Sequence, residues 1–423
     1  MPQINAPGTS SSREERDFRM SSNTPRKAGR HFLQIPGPTP IPDRVLRAMD
    51  NQVLDHRGPT FQKLALRVLD KVKTIFKTKS HVIIFPASGT GAWEAALVNT
   101  MNPGDKLLMF ETGQFATLWH NMAKRLGMVV DFIPSDWRVG VDPQKIEEKL
   151  REDKNHEIKA VCVVHHETSG GLLTDVAAIR KVMDATNHPA LLFVDTVSGL
   201  GSADLRHDEW GIDVTVAGSQ KGLMLPPGLA FNAISAKAIK ASETAKQPKG
   251  YWAWDEMINA NKSGFFPYTP ATQILYGLDV AIDLMHEEGL ENIFARHNRW
   301  GVATRAAVKH WGLENLCRDE RYVSPVMTAV LMPDGKGADE FRKIVLDTFD
   351  MSLGAGLNKV ADKVFRIGHL GDSNDLTIMG ALAGVEMGLE VAGIKHNKGG
   401  VQVAMASIAA AHQQGHHARV AAE

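Results

Sequence analysis

The sequence predicts an α/β protein with a mostly parallel central sheet, followed by a smaller α+β domain. Seven short apolar runs between residues 81 and 234 alternate with helix-period segments, as in successive strand–helix units of a sheet buried on both faces. The length, 423 residues, exceeds what a single core fills, so a second domain is expected.

The apolar runs at 82–85, 107–110, 128–130, 161–164, 191–194, 214–217 and 229–231 have strand length and are rich in Val, Leu, Ile and Phe. Residues 249–270 place Tyr251, Trp252, Trp254, Phe265, Phe266 and Tyr268 between Gly and Pro, which reads as a loop buried against another surface. Helical periodicity returns at 272–288 and 290–311, the second segment bridging into the C-terminal domain. That domain shows strands near 327–331 and 364–367 and helices from Ala338 and after Asp375. The expected organisation is a disordered N-terminal extension (1–30), a large domain with an N-terminal arm (31–290), a small domain (291–400) and a tail (401–423). The tail carries His412, His416 and His417 without metal-ligand spacing and reads as solvated.

Composition narrows the function classes. Lys plus Arg number 48 and Asp plus Glu 48, so no net field attracts nucleic acid or an anionic membrane. A small-molecule partner is expected. Cys162 and Cys317 lie far apart with no Cys-x-x-Cys, which points away from a zinc site or a disulfide scaffold and towards a reducing compartment. No apolar run reaches the roughly 18 residues that span a bilayer. The first thirty residues are polar and aperiodic, and Glu14, Glu15 and Asp17 argue against a transit peptide. The terminal Ala-Ala-Glu is not a peroxisomal tripeptide, so a cytoplasmic protein is expected.

Four segments can carry chemistry. Ser88-Gly89-Thr90-Gly91 follows a strand and opens a helix, where backbone N–H groups and the helix dipole favour an anion such as phosphate. It is not a dinucleotide fingerprint, since Glu94 stands where the third Gly belongs, and a plain tight turn remains open. Asp195 ends an apolar run, where open α/β sheets hold ligands; it reads as a turn acid or as the partner of a cationic ring nitrogen. Lys221 lies in Gly218-Ser219-Gln220-Lys221-Gly222 after a buried strand. An amine so placed loses proton affinity and becomes the nucleophile that imine formation needs; a solvated Lys in a glycine turn is the alternative. Arg366 interrupts an apolar strand and needs an anion, either a structural carboxylate or that of a substrate.

Taken together these segments resemble the serine–glyoxylate and alanine–glyoxylate branch of the class V pyridoxal-phosphate (PLP) aminotransferases. The similarity extends from Pro36 to about Glu390. It is carried by Pro36-Gly37-Pro38-Thr39, Asp55-His56-Arg57, Phe85-Pro86-Ala87-Ser88-Gly89-Thr90-Gly91, Gly113-Gln114-Phe115 and His165-His166-Glu167-Thr168. Val194-Asp195-Thr196-Val197-Ser198, Asp208-Glu209-Trp210-Gly211-Ile212-Asp213, Gly218-Ser219-Gln220-Lys221, Pro267-Tyr268-Thr269-Pro270, Gly354-Ala355-Gly356-Leu357 and Arg366-Ile367-Gly368-His369 complete the set. The resemblance implies a fold type I PLP enzyme. In it Lys221 would hold the cofactor covalently, Asp195 would pair with the ring nitrogen, and Phe115 would stack on the ring. Thr90, Gly91 and Gln220 would hold the phosphate, joined by Thr269 of a second subunit, while Thr168 would meet the phenolic oxygen. Arg366 would clamp the substrate carboxylate, Gly37 would line the pocket, and His56 and Arg57 would reach it from the second subunit of a homodimer.

The implied reaction is ping-pong transfer of an amino group from a small amino acid, serine first, to glyoxylate. Alanine or aspartate as donor, or another amine with pyruvate as acceptor, stays open, as does a non-transaminase PLP enzyme. The chain departs from the serine–glyoxylate pattern at His166, Ser169, Gly170, Thr196 and Gly199, which leaves the substrate pair undecided. A cysteine desulfurase of the same fold would need a thiol on a mobile loop, and neither Cys162 nor Cys317 is so placed. A nucleotide-binding oxidoreductase would leave Lys221 unexplained.

Overall fold

The computed structural model describes residues 28–422, with side chains to residue 414. The chain divides at His31 into two units. Of the first, residues 28–31 are described and contain no helix or strand; the expected disordered extension otherwise lies outside the described residues.

A seven-stranded sheet organises the second unit. Its order is His81–Ala87, Gly228–Ile234, Val214–Gly218, Leu191–Asp195, Ile158–Val164, Lys106–Phe110 and Val129–Ile133. Gly228–Ile234 runs antiparallel to both its neighbours and every other pairing is parallel. The two-residue period of a strand divides its side chains between two cores. Val82, Ile84, Val161 and Val163 join Phe76, Phe231 and Ile282 on one face, while Ile83, Phe85, Ala160 and Cys162 join Trp93, Trp119 and Trp254 on the other. Because the strand before Ser88 and those ending at Phe110, Val164, Asp195 and Gly218 all run the same way, the segments that follow them emerge at one edge of the sheet. This is where open α/β sheets bind ligands.

The C-terminal domain is built on a five-stranded sheet in the order Phe32–Gln34, Met351–Ala355, Val364–Gly368, Met327–Leu331 and Glu314–Asn315. It has its own core around Trp300, Trp311, Phe341 and Phe365. The helices Thr272–Glu288 and Leu290–Trp311 follow one another across Gly289 into it.

Three elements differ from the sequence reading. The N-terminal arm, assigned to the large domain, pairs in parallel with Met351–Ala355 of the smaller sheet. The aromatic stretch contains the helix Trp254–Asn261, whose Trp254 and Met257 are buried and whose indole N–H donates to Asn232 Oδ1 at 3.2 Å. The segment read as a solvated tail is the helix Gly400–Ala422. Its Ala404 and Ile408 are buried in the small-domain core, because small and apolar residues recur on one helical face. His412 is exposed and meets Asp375 at 2.7 Å, whereas the side chains of His416 and His417 lie outside the described residues.

Candidate active site

Lys221 lies in the loop, residues 219–227, that joins the antiparallel strands Val214–Gly218 and Gly228–Ile234. The loop is tied by Ser219, whose Oγ donates to Pro226 O at 2.7 Å and accepts from Leu229 N at 3.1 Å. Two further bonds tie the N-terminal segment to the same loop: Thr39 N donates to Gln220 O at 3.1 Å, and Thr39 Oγ1 to Lys221 O at 3.0 Å. The Lys221 amine is buried and donates to the carbonyl of Pro36. Burial, with the nearby Arg366 guanidinium, lowers its pKa to about 8, against an opposing pull from Asp195. Gly37 has φ +97°, and a Cβ there would lie 2.7 Å from Lys221 Nζ, so glycine serves both the backbone and the amine.

Asp195 ends the central Leu191–Asp195 strand and is 3% exposed. Each carboxylate oxygen has one donor: Val197 N to Oδ1 at 2.7 Å and Trp93 Nε1 to Oδ2 at 3.0 Å. Burial still raises the carboxyl pKa to about 7, with the charge of Glu167 pushing the same way. The Lys221 charge pulls the other way, and no ion pair joins Asp195 to a described cation.

The helix Gly89–Thr100 starts at the same edge, with an extended Ser88 and no side-chain cap. Thr90 is exposed at its mouth, and a Cβ on Gly91 would lie 3.1 Å from Ala87 Cβ. A Cβ on Gly218 would lie 2.8 Å from Gln220 Oε1 and 3.6 Å from Gly89 N, so the Gln220 amide lies beside this helix N-terminus. Arg366, on the Val364–Gly368 strand, donates through Nε to Ala355 O at 2.6 Å and through Nη1 to Thr168 O at 3.0 Å. Burial lowers its pKa to about 10, and no ion pair joins it to a described carboxylate.

One chain therefore brings together Lys221, Asp195, Gly37, Thr168, Arg366, Thr90, Gly91 and Gln220. Phe115 lies half-buried in the first turn of the Gln114–Arg125 helix. His56 and Arg57 contact each other, at 2.7 Å, and their bonds do not reach the Lys221 cluster; Thr269 is exposed. Trp93 and Glu167 escaped the sequence reading as site residues. A Trp three residues beyond Thr90 has an N–H that must find an acceptor when buried, and that was the available signal. Glu167, 1% exposed, accepts from Phe115 N and Ala116 N, both at 3.1 Å, and from Ser169 Oγ at 2.6 Å. Both cysteines are buried with thiols pushed up by burial, which disfavours a thiolate nucleophile. Among the described residues no group of His, Cys, Asp or Glu is arranged to hold a metal ion, and no helix is long and apolar enough to cross a membrane.

Residues 31–335 match the family model described as aminotransferase class-V. The serine–glyoxylate aminotransferase of Arabidopsis thaliana is 49% identical, covering 86% of this chain and 92% of that protein. The L-aspartate–glyoxylate aminotransferase of Paracoccus denitrificans is 45% identical over 84% of this chain and 89% of its own length. Among solved structures, a pyridoxamine–pyruvate aminotransferase from Mesorhizobium loti aligns with TM-score 0.85 at 28% identity, covering 91% of this chain and 99% of that one.

The chain belongs to the class V aminotransferases and has their fold type I architecture. It is a PLP-dependent transferase.

The residues present fit PLP. Thr168 Oγ1 is buried without a hydrogen-bond partner among the described residues, free to donate to a phenolic oxygen, and the Gln220 side-chain amide lies beside the uncapped N–H groups that open the Gly89–Thr100 helix, where a phosphate would find donors. The two buried ionisable groups, Asp195 and Lys221, are an acid with no ion pair to a described cation and an amine whose pKa burial lowers to about 8.

Proposed function

We propose that the enzyme transfers the amino group of serine to glyoxylate, giving hydroxypyruvate and glycine in two half-reactions. The observation that carries this reading is the buried Lys221 amine beside an Arg366 that has no carboxylate partner among the described residues. One group is set to bond an aldehyde; the other awaits an α-carboxylate. The identity to serine–glyoxylate aminotransferases supports serine as donor.

PLP, when bound, supplies the electron-withdrawing ring that makes the donor Cα–H acidic and carries the nitrogen between half-reactions. In this reading Lys221 Nζ would hold the cofactor and would move the proton at the donor Cα. Asp195, fixed by Trp93 and the Val197 N–H, keeps the ring nitrogen charged. Phe115 covers the ring, and Thr168 Oγ1 donates to the phenolic oxygen. Thr90, the Gly91 N–H and Gln220 hold the phosphate with Thr269 of the second subunit. Arg366 orients the substrate carboxylate, Gly37 leaves room for it, and His56 and Arg57 of the second subunit close the pocket. A homodimer is part of the proposal, supported by the exposure of Arg57 and Thr269 and by Tyr251, which is 44% exposed and stacked on Tyr268. The two unpaired cysteines support a cytoplasmic location.

A donor screen at fixed glyoxylate tests the substrate assignment. Serine is expected to give the highest kcat/KM. A second reading, aspartate as donor, is favoured by the 45% identical aspartate–glyoxylate relative, and a screen led by aspartate would replace serine with it. Activity with neither serine, aspartate nor alanine would refute glyoxylate transamination.

A further inference from the structure

The Gln114–Arg125 helix begins at Gly113, which has no side chain with which to cap it. The N–H groups of its first turn are nevertheless met, by acceptors about fifty residues further along the chain. Gln114 N donates to Ser169 Oγ at 2.9 Å, and Phe115 N and Ala116 N both donate to Glu167 Oε2 at 3.1 Å. The other carboxylate oxygen, Oε1, accepts from Ser169 N at 3.0 Å and Ser169 Oγ at 2.6 Å. A Cβ on Gly113 would lie 2.7 Å from Glu167 Oε1, so the glycine is what lets the carboxylate approach.

This is a costly way to cap a helix. Burial works against the charge of Glu167 and raises its pKa, whereas most helices are capped by a Ser, Thr, Asp or Asn at the N-cap position itself. What the remote carboxylate does that a local cap cannot is lock two segments of the site to each other. One segment carries Phe115. The other continues into Thr168, whose carbonyl holds Arg366 at 3.0 Å and whose hydroxyl is buried and unpartnered.

We propose that Glu167 is a positioning residue: it sets Phe115 and the Thr168–Arg366 pair at a fixed separation, between which the cofactor ring would be held. Ser169 is its partner in this role. The proposal rests on the PLP reading and adds to it a residue that touches neither cofactor nor substrate.

The test compares Glu167→Gln with Ser169→Ala, and with Asp142→Ala, which removes the cap of the distant Pro143–Glu152 helix, where Asp142 Oδ1 accepts from Gln144 N at 3.0 Å. For each apo-protein, PLP affinity, the visible circular dichroism of the bound cofactor and the thermal midpoint are measured. Glu167→Gln is expected to weaken PLP binding about tenfold or more, the scale of one lost charge-assisted hydrogen bond, and to shrink the dichroism. Ser169→Ala is expected to do the same about two- to fivefold, consistent with a neutral hydrogen bond. Asp142→Ala is expected to lower only the thermal midpoint.

Wild-type PLP affinity and dichroism in Glu167→Gln, with only a lower midpoint, would reduce Glu167 to a helix cap and overturn the proposal. If Glu167→Gln does not fold, Ser169→Ala decides: unchanged affinity and dichroism in that variant overturn it as well. A wild-type protein that binds no PLP would instead sink the cofactor assignment itself.

Discussion

At the scale of single residues the site is a problem in desolvation. Four ionisable groups, Lys221, Asp195, Glu167 and Arg366, are buried together, and burial is the largest cause of every one of their shifts. Because Lys221 is drawn from 10.5 to about 8, its neutral, nucleophilic fraction grows as pH rises through about 8. The rate of PLP capture by the apo-protein is therefore expected to climb about tenfold per pH unit below that value and level off above it. Stopped-flow absorbance across pH 6 to 10 would check this, and a rate that falls with rising pH would contradict it. The sign for stability agrees: the folded pKa lies below the unfolded one, so the unfolded chain binds the extra proton between about 8 and 10.5, and this group's contribution to apo-protein stability rises with pH through that window. Lys221, Asp195 and Arg366 could be picked out in the sequence because each is a charge set in or at the end of an apolar run. Trp93 and Glu167 could not be given roles there, since their partners lie 102 and 52 positions away and only the tertiary fold brings them into contact.

At the scale of elements, the central strands were legible because each holds a short apolar run, and the helices Thr272–Glu288 and Leu290–Trp311 because their apolar periodicity is long. Met351–Ala355 was not read as a strand. Ser352 and Gly354 break its apolar run, and that glycine matters for packing, since a Cβ there would lie 2.7 Å from Pro36 Cδ. The helix Trp254–Asn261 was hidden by the Gly, Pro and aromatic residues around it, and Gly400–Ala422 by a composition of Ala, Gln and His that resembles a solvated tail. The burial of Ile408, 7% exposed, makes a direct check on this last element. Ile408→Ala is expected to cost about 2–3 kcal/mol in denaturant unfolding. An unchanged midpoint would mean that the C-terminal helix adds nothing to the small-domain core.

At the scale of the whole molecule, two sheets with separate cores meet around the chain between Gly289 and Trp311, and we place the domain boundary near residue 290. The sequence motifs that carry the family resemblance fall on both sheets, which is why the fold class was legible from them while the arm's pairing partner was not. Residues on the two sides, Asp195 and Lys221 on one and Arg366 on the other, form one site only when both domains are in place. The proposed second subunit completes it. Mixed dimers of Lys221→Ala and Arg57→Ala chains would then regain one intact site, so re-associated mixtures should be more active than either parent. Activity no greater than the average of the parents would contradict a shared site.

The account as a whole depends on the amine at position 221 as the point of cofactor attachment. Reduction of the PLP-loaded enzyme with borohydride, followed by peptide mapping, is expected to place the phosphopyridoxyl group on Lys221 alone, and Lys221→Ala is expected to give no adduct and to lose transamination by about 10³-fold or more. An adduct on another lysine, or a Lys221→Ala variant that still transaminates normally, would contradict it.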